Sequence, residues 1–170
     1  MIKMNATALK AKTERWLKEI FEETDLFEAI DRARDDSALL AYKPKVGDSL
    51  YIQVSSDTID PPVIAGRDIS AIRLPALDVS LSCTVFEQLK PGAALNKFVA
   101  ARGSVQLFTC VWLTEVEADN TVRMRLESRH VGDTIDKTEF VNGLLHLLED
   151  IEYIRAAIPA AVHATGVHVY

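Results

Sequence analysis

The sequence predicts an α+β fold: an antiparallel sheet with an N-terminal helix, a short middle helix and a long C-terminal helix packed on one face. Three observations predict it. Residues 77–85 alternate apolar and polar side chains, the period of a strand with one wet face. Residues 136–157 carry the apolar spacing of an amphipathic helix. The order along the chain is helix, strands, helix, hairpin, helix, which helices segregated to one side of an antiparallel sheet satisfy.

Residues 6–23 open the chain as an amphipathic helix, with Leu9, Trp16, Leu17, Ile20 and Phe21 on one side. Asp25 and Glu28 have capping-box spacing, which predicts a bend near Thr24 and a second short helix through Arg34. The same stretch could instead begin the sheet. Strands are expected at Ala38–Tyr42 and Leu50–Val54, separated by a turn rich in Pro, Gly and Asp. Residues 55–68 read as a loop, and a weak strand follows at Ile69–Leu74.

In the 77–85 strand, Leu77, Val79, Leu81, Cys83 and Val85 face one way and Asp78, Ser80, Ser82 and Thr84 the other. Pro91 and Gly103 bracket the short middle helix, whose stripe is Leu95, Phe98 and Val99. Residues 104–115 and 121–130 form a hairpin around Glu117-Ala118-Asp119-Asn120. The final helix starts at a capping box, Asp136 with Glu139, flanked by a staple of Ile135 and Phe140. Its stripe is Phe140, Leu144, Leu147, Leu148, Ile151 and Ile154. Pro159 ends it, so that residues 1–158 form one domain and 159–170 a loosely held tail.

Composition agrees with one folded domain. At 170 residues, 48% hydrophobic and 26% charged, with mean hydropathy +0.06, the chain has material for a core. Net charge is −6, from 19 basic and 25 acidic residues, which opposes bulk binding to nucleic acid or anionic membranes. No span approaches the roughly 20 apolar residues of a membrane helix, and Met1–Lys12 lacks the apolar core of a secretion signal. Cys83 and Cys110 lie far apart in apolar runs, as expected of free buried thiols in a reducing compartment. The expectation is a cytoplasmic protein.

No motif of catalysis is found: no nucleophile elbow, no phosphate-binding glycine loop, no H-E-x-x-H, and no C-x-x-C. His130, His146, His163 and His168 are read as surface or partly buried histidines, because a metal needs three or four converging ligands. Asp57, Asp60 and Asp68 do not have calcium-loop spacing, and Glu115, Glu117 and Asp119 fit a solvated turn. No catalytic, cofactor-binding or metal residue is nominated, and no cofactor is expected.

The hairpin carries the functional content. A four-residue loop at 117–120 pairs Val116 with Thr121 and sets Trp112 opposite Arg125, Cys110 opposite Glu127 and Phe108 opposite Arg129. One face then holds Phe108, Trp112, Arg123, Arg125 and Arg129. The other holds Val105, Leu107, Val111 and Leu113 against Val122, Met124 and Leu126, and must face the helices. Trp and Arg are enriched at binding hot spots, and arginine is attracted to aromatic faces. Three occupants stand for this candidate interaction face: another segment of the chain such as the first helix or the 55–76 loop, a second copy, or a peptide or other ligand. Stacking on single-stranded nucleic acid is set aside by the negative charge and the lack of an RNP-type motif.

The run Leu95-Asn96-Lys97-Phe98, followed by a hairpin and a long C-terminal helix, resembles the YbjN-like proteins, which share the α+β fold of type III secretion chaperones. The resemblance covers residues 77–158. It implies a small acidic homodimer that binds a protein or extended peptide client, as a chaperone or regulator, and it supplies no catalytic residues. The alternative is a small-molecule-binding or enzymatic α+β domain of helix-grip or nuclear-transport-factor-like type, with an apolar pocket between sheet and helix.

Overall fold

Asn5 starts the first helix by accepting the Ala8 N–H on its side-chain oxygen at 2.8 Å, filling one of the donors a helix start leaves open. The computed structural model describes residues 5–32, 38–45, 49–59, 63–68, 76–101 and 108–163. Helix α1 (Ala6–Glu23) buries Leu9, Thr13, Trp16 and Leu17, one stripe at helical spacing. Thr24 turns extended, and its hydroxyl donates back to the Ile20 carbonyl at 2.8 Å.

A second helix does not follow. Residues Phe27–Arg32 form strand β1, antiparallel to β2 (Ala38–Tyr42). The reason lies in long-range partners. Phe27 is buried with its ring 6.2 Å from that of Tyr42. Glu28, the would-be capping residue, instead accepts the Ser49 hydroxyl at 2.8 Å and meets Lys43 at 3.0 Å.

Strand β3 (Leu50–Ile59) also overturns an expectation, that of a loop from residue 55. Ser55, Ser56 and Asp57 continue the ladder opposite Ser80, Val79 and Asp78 of β6 (Ala76–Leu89). Polar residues there are compatible with a strand because β6 supplies main-chain partners along that edge. A small ribbon, β4 (Val63–Ile64) with β5 (Arg67–Asp68), turns through Ala65 and Gly66. Both have positive φ (51° and 74°), as two-residue hairpin turns require. The strand expected at Ile69–Leu74 lies outside the described residues.

After β6 come α2 (Ala93–Ala101), β7 (Cys110–Val116), β8 (Thr121–Gly132) and α3 (Lys137–Ala157). The main sheet has the order β1-β2-β3-β6-β8-β7 and is antiparallel throughout. Strand β7 stands at the sheet's edge and begins at Cys110, after bends at Phe108 and Thr109, while residues 104–107 of the expected hairpin lie outside the described residues. The α3 capping box forms as the sequence predicts: the Asp136 carboxylate accepts the Glu139 N–H at 2.9 Å and the Glu139 carboxylate the Asp136 N–H at 2.8 Å. Ile135 and Phe140 are both buried beside it.

One face of the sheet makes the core. Leu40, Ile52, Val54, Val79, Leu81, Cys83, Met124 and Leu126 are buried beneath α1 and α3. Rings of Trp16 and Phe140, 5.5 Å apart, join the two helices. At Gly143 α3 lies close on the sheet, where a Cβ would come within 3.2 Å of the Ser128 hydroxyl. The chain after Pro159 is not loose at its start. Residues Ala160–Val162 form a 3₁₀ turn, Val162 is buried, and its carbonyl accepts the Lys90 N–H at 2.7 Å.

Candidate functional site

Loop length fixes the β7–β8 register. The turn at 117–120 places Asn120 at φ 51° and pairs Val116 with Thr121. Trp112 therefore stands opposite Arg125 and Cys110 opposite Glu127, as the sequence predicts. Asp119 braces the turn. It accepts the Thr121 hydroxyl at 2.7 Å and the Gln88 amide at 2.9 Å, and chiefly the first bond holds its carboxyl below the usual range.

Phe108 does not share that face. The described ladder begins at Cys110, so no Phe108–Arg129 pair forms. The cause is Asp150, buried on α3. One of its oxygens accepts the N–H groups of Phe108 and Thr109 at 2.9 and 2.8 Å and the Thr109 hydroxyl at 2.7 Å. This clamp draws the chain toward the helix, and the Phe108 ring stacks on His146 at 4.1 Å and 11°. Sequence reasoning missed Asp150. Its signal was an acidic residue set between Leu147, Leu148, Ile151 and Ile154, where a carboxylate must find donors.

Trp112 lies on the open face, 50% exposed, with no described segment over it. Its indole N–H donates to Glu127 at 2.8 Å, and the other Glu127 oxygen takes the Ser80 hydroxyl at 2.8 Å. The ring is thus exposed yet fixed. On the core side of β7, Val111 is partly buried, but Leu113 is 39% exposed because the edge strand outreaches its cover. Cys110 is likewise exposed, correcting the expectation of a buried thiol, whereas Cys83 is buried. Both are free, and burial pushes the Cys83 thiol up to about 12.

The three arginines differ. Arg129 makes two 2.8 Å bonds to the two oxygens of Asp78, and this pairing pushes its pKa further up. Arg123 donates to Glu87 at 2.7 Å. Arg125 has no carboxylate partner among the described residues.

Arg125 borders a groove that the sequence did not reveal. Strands β3 and β6 pair from Ile59↔Ala76 to Ile52↔Cys83 and then part. Beyond that rung β3 stays with β2, and β6 stays with β8 through register shifts at Thr84–Phe86 and Phe86–Leu89. Such bulges bend and twist a strand. The parting leaves a groove of about 600 Å³, with Tyr51 on one wall, Thr84 and Phe86 on the other, and Arg123, Arg125 and Arg155 along it. His163 closes one end, bridged to Leu89 and edge-on to Phe86 at 5.8 Å. Arg155, from the last turn of α3, lies near Tyr42 and Cys83 and draws both their pKa values down. Burial outweighs it at each, helped at Tyr42 by the 2.6 Å hydrogen bond to Glu152.

No protein-family model, curated protein or solved structure matches this chain. The site therefore rests on its own geometry.

The remaining polar residues are placed as follows. His130 meets the Thr134 carbonyl at 2.8 Å, and Asp57 accepts the Thr58 N–H at 2.7 Å. Asp60 and His168 lie outside the described residues. Among those described, no three His, Cys, Asp or Glu side chains are grouped to hold a metal, and no helix is long and apolar enough to cross a membrane.

Proposed function

We propose that this chain is a non-enzymatic protein-interaction module, type III secretion chaperone-like or YbjN-like, which binds a protein or extended peptide as a homodimer. The observation that carries this reading is the β7 edge. Exposed sheet edges invite pairing with other chains, and proteins blunt them with lysine, proline or bulges. The β7 sequence, Cys110-Val111-Trp112-Leu113-Thr114-Glu115-Val116, contains neither lysine nor proline and pairs with β8 without a register shift. It also presents a half-exposed Trp112 already held in one position by Glu127. A fixed aromatic loses little entropy on binding.

A second copy or a client strand added to β7 satisfies the open main-chain groups, and Trp112 supplies the anchor. The reading with an apolar pocket finds little support. Between α3 and the sheet, around Val79, Leu81, Ile135 and Phe140, the free space is about 20 Å³, room for little more than a water. Nucleic acid is disfavoured because Arg123 and Arg129 are already paired with carboxylates.

Light scattering tests the proposal. The chain is expected at twice its 18.9 kDa mass, with Trp112→Ser and Thr114→Lys each shifting it to monomer while circular dichroism stays native. A dimer unchanged in both variants, with client binding also unchanged, removes this face from the account.

A further inference from the structure

We infer that the gap between β3 and β6 is a binding site for an extended, acidic polypeptide segment, a carboxylate of which is taken by Arg125. This rests on the reading that the chain binds a polypeptide, and it names the chemistry of the segment bound.

Main chain is the first argument. Past the Ile52↔Cys83 rung, residues 49–51 of the β3 side and 84–88 of β6 no longer pair with each other. Strands direct N–H and C=O groups alternately to both sides, so each wall offers such groups to the gap. The two walls run at the margins of one slot, the arrangement an added strand uses. Where β6 ends, the slot is shut by chain from beyond α3: Leu89 bridges His163, and the Lys90 N–H meets the Val162 carbonyl.

Charge is the second. The chain as a whole carries −6, yet three arginines line the groove, Arg123, Arg125 and the already engaged Arg155, together with the carboxylate of Glu87. Arg123 already pairs with that carboxylate. Arg125 meets none among the described residues. A cationic cleft on an acidic protein concentrates anions locally and repels them elsewhere. Guanidinium groups take carboxylates through paired, charge-assisted hydrogen bonds.

The walls supply the third. Tyr51 is 64% exposed at the rim, while Phe86, edge-on to His163, lines the groove partly buried against the core. Apolar side chains between acidic ones would rest on the Tyr51 ring. The groove also meets the open sheet face, since Arg125 lies directly across from Trp112. An open slot continuous with a sheet face suits a passing chain better than a small free anion, which sites usually enclose.

Fluorescence anisotropy tests this with two blocked, fluorescein-labelled octapeptides, one alternating glutamate with valine and the other glutamine with valine. The glutamate peptide is expected to bind at least about tenfold more tightly, through its charge-assisted bonds. That preference falls as salt is raised. Arg125→Glu is expected to abolish it with dichroism and melting unchanged, and Trp112→Ser to retain it in the monomer. Equal binding of the two peptides, or a preference that survives Arg125→Glu, overturns the inference while leaving a polypeptide-binding role intact. Failure of both peptides overturns the inference and counts against that role as well. Full competition by free glutarate at the peptide's own concentration assigns the groove to small anions and also overturns it.

Discussion

The two ends of the β3–β6 junction differ, although the same three strands build both. At one end the strands are paired through Ile59↔Ala76, and Arg129 on β8 reaches across to both oxygens of Asp78. At the other end the strands part, and Arg125, on the same face of β8, meets a groove instead of a carboxylate. The chemistry of the two side chains is identical. Strand β6 stays beside β8 at both ends, and what separates the two arginines is the residue it places there, Asp78 for Arg129 and Thr84 for Arg125.

The variant with the largest expected effect breaks the clamp that holds the chain entering β7. Asp150→Ala leaves three donors of residues 108 and 109 without an acceptor and should cost about 3 kcal/mol. It would be read as a lower urea midpoint at unchanged slope. Asp150→Asn, which keeps an acceptor, should cost about half as much. A wild-type midpoint for both variants would mean that the clamp does not hold β7.

The cysteines sharpen the contrast next. Cys83 occupies the last paired rung, buried, with its thiol pushed up to about 12, while Cys110 is exposed on the edge. Alkylation at pH 8 should modify Cys110 at least about 100-fold faster than Cys83, because the thiolate is the reactive form and must be reached. Comparable rates would show that the parting extends past Cys83.

Smaller effects separate the two arginines. Asp78→Asn should cost up to about 1 kcal/mol, the usual scale for a surface pair. Arg125→Ala should change stability by less than about 0.5 kcal/mol. If thermal melting shows equal losses, the two ends are energetically alike and the comparison fails.

Local signals made much of the fold legible. The apolar stripes of α1 and α3 and the Asp136–Glu139 capping box are spelled within a few residues of one another. The β7–β8 register follows from the length of one turn, so Trp112 and Arg125 could be paired before the structure was known. Features set by distant partners were not legible. Asp25 and Glu28 have capping spacing, yet Glu28 serves Lys43 and Ser49 across the sheet. Phe108 was placed opposite Arg129 by extending a register that Asp150, on another element, interrupts. The groove was hidden because Cys83, Thr84 and Val85 keep alternating in sequence while the bulge that follows breaks their alignment with β3.

Hydrogen exchange along β7 tests the central claim most directly. In a lone chain, the amides of residues 110–116 that point away from β8 have no partner among the described residues and should exchange fast. If a second copy covers this edge, those amides become protected as protein concentration rises, and Trp112→Ser returns them to fast exchange. Fast exchange of the same amides at every concentration would contradict the account.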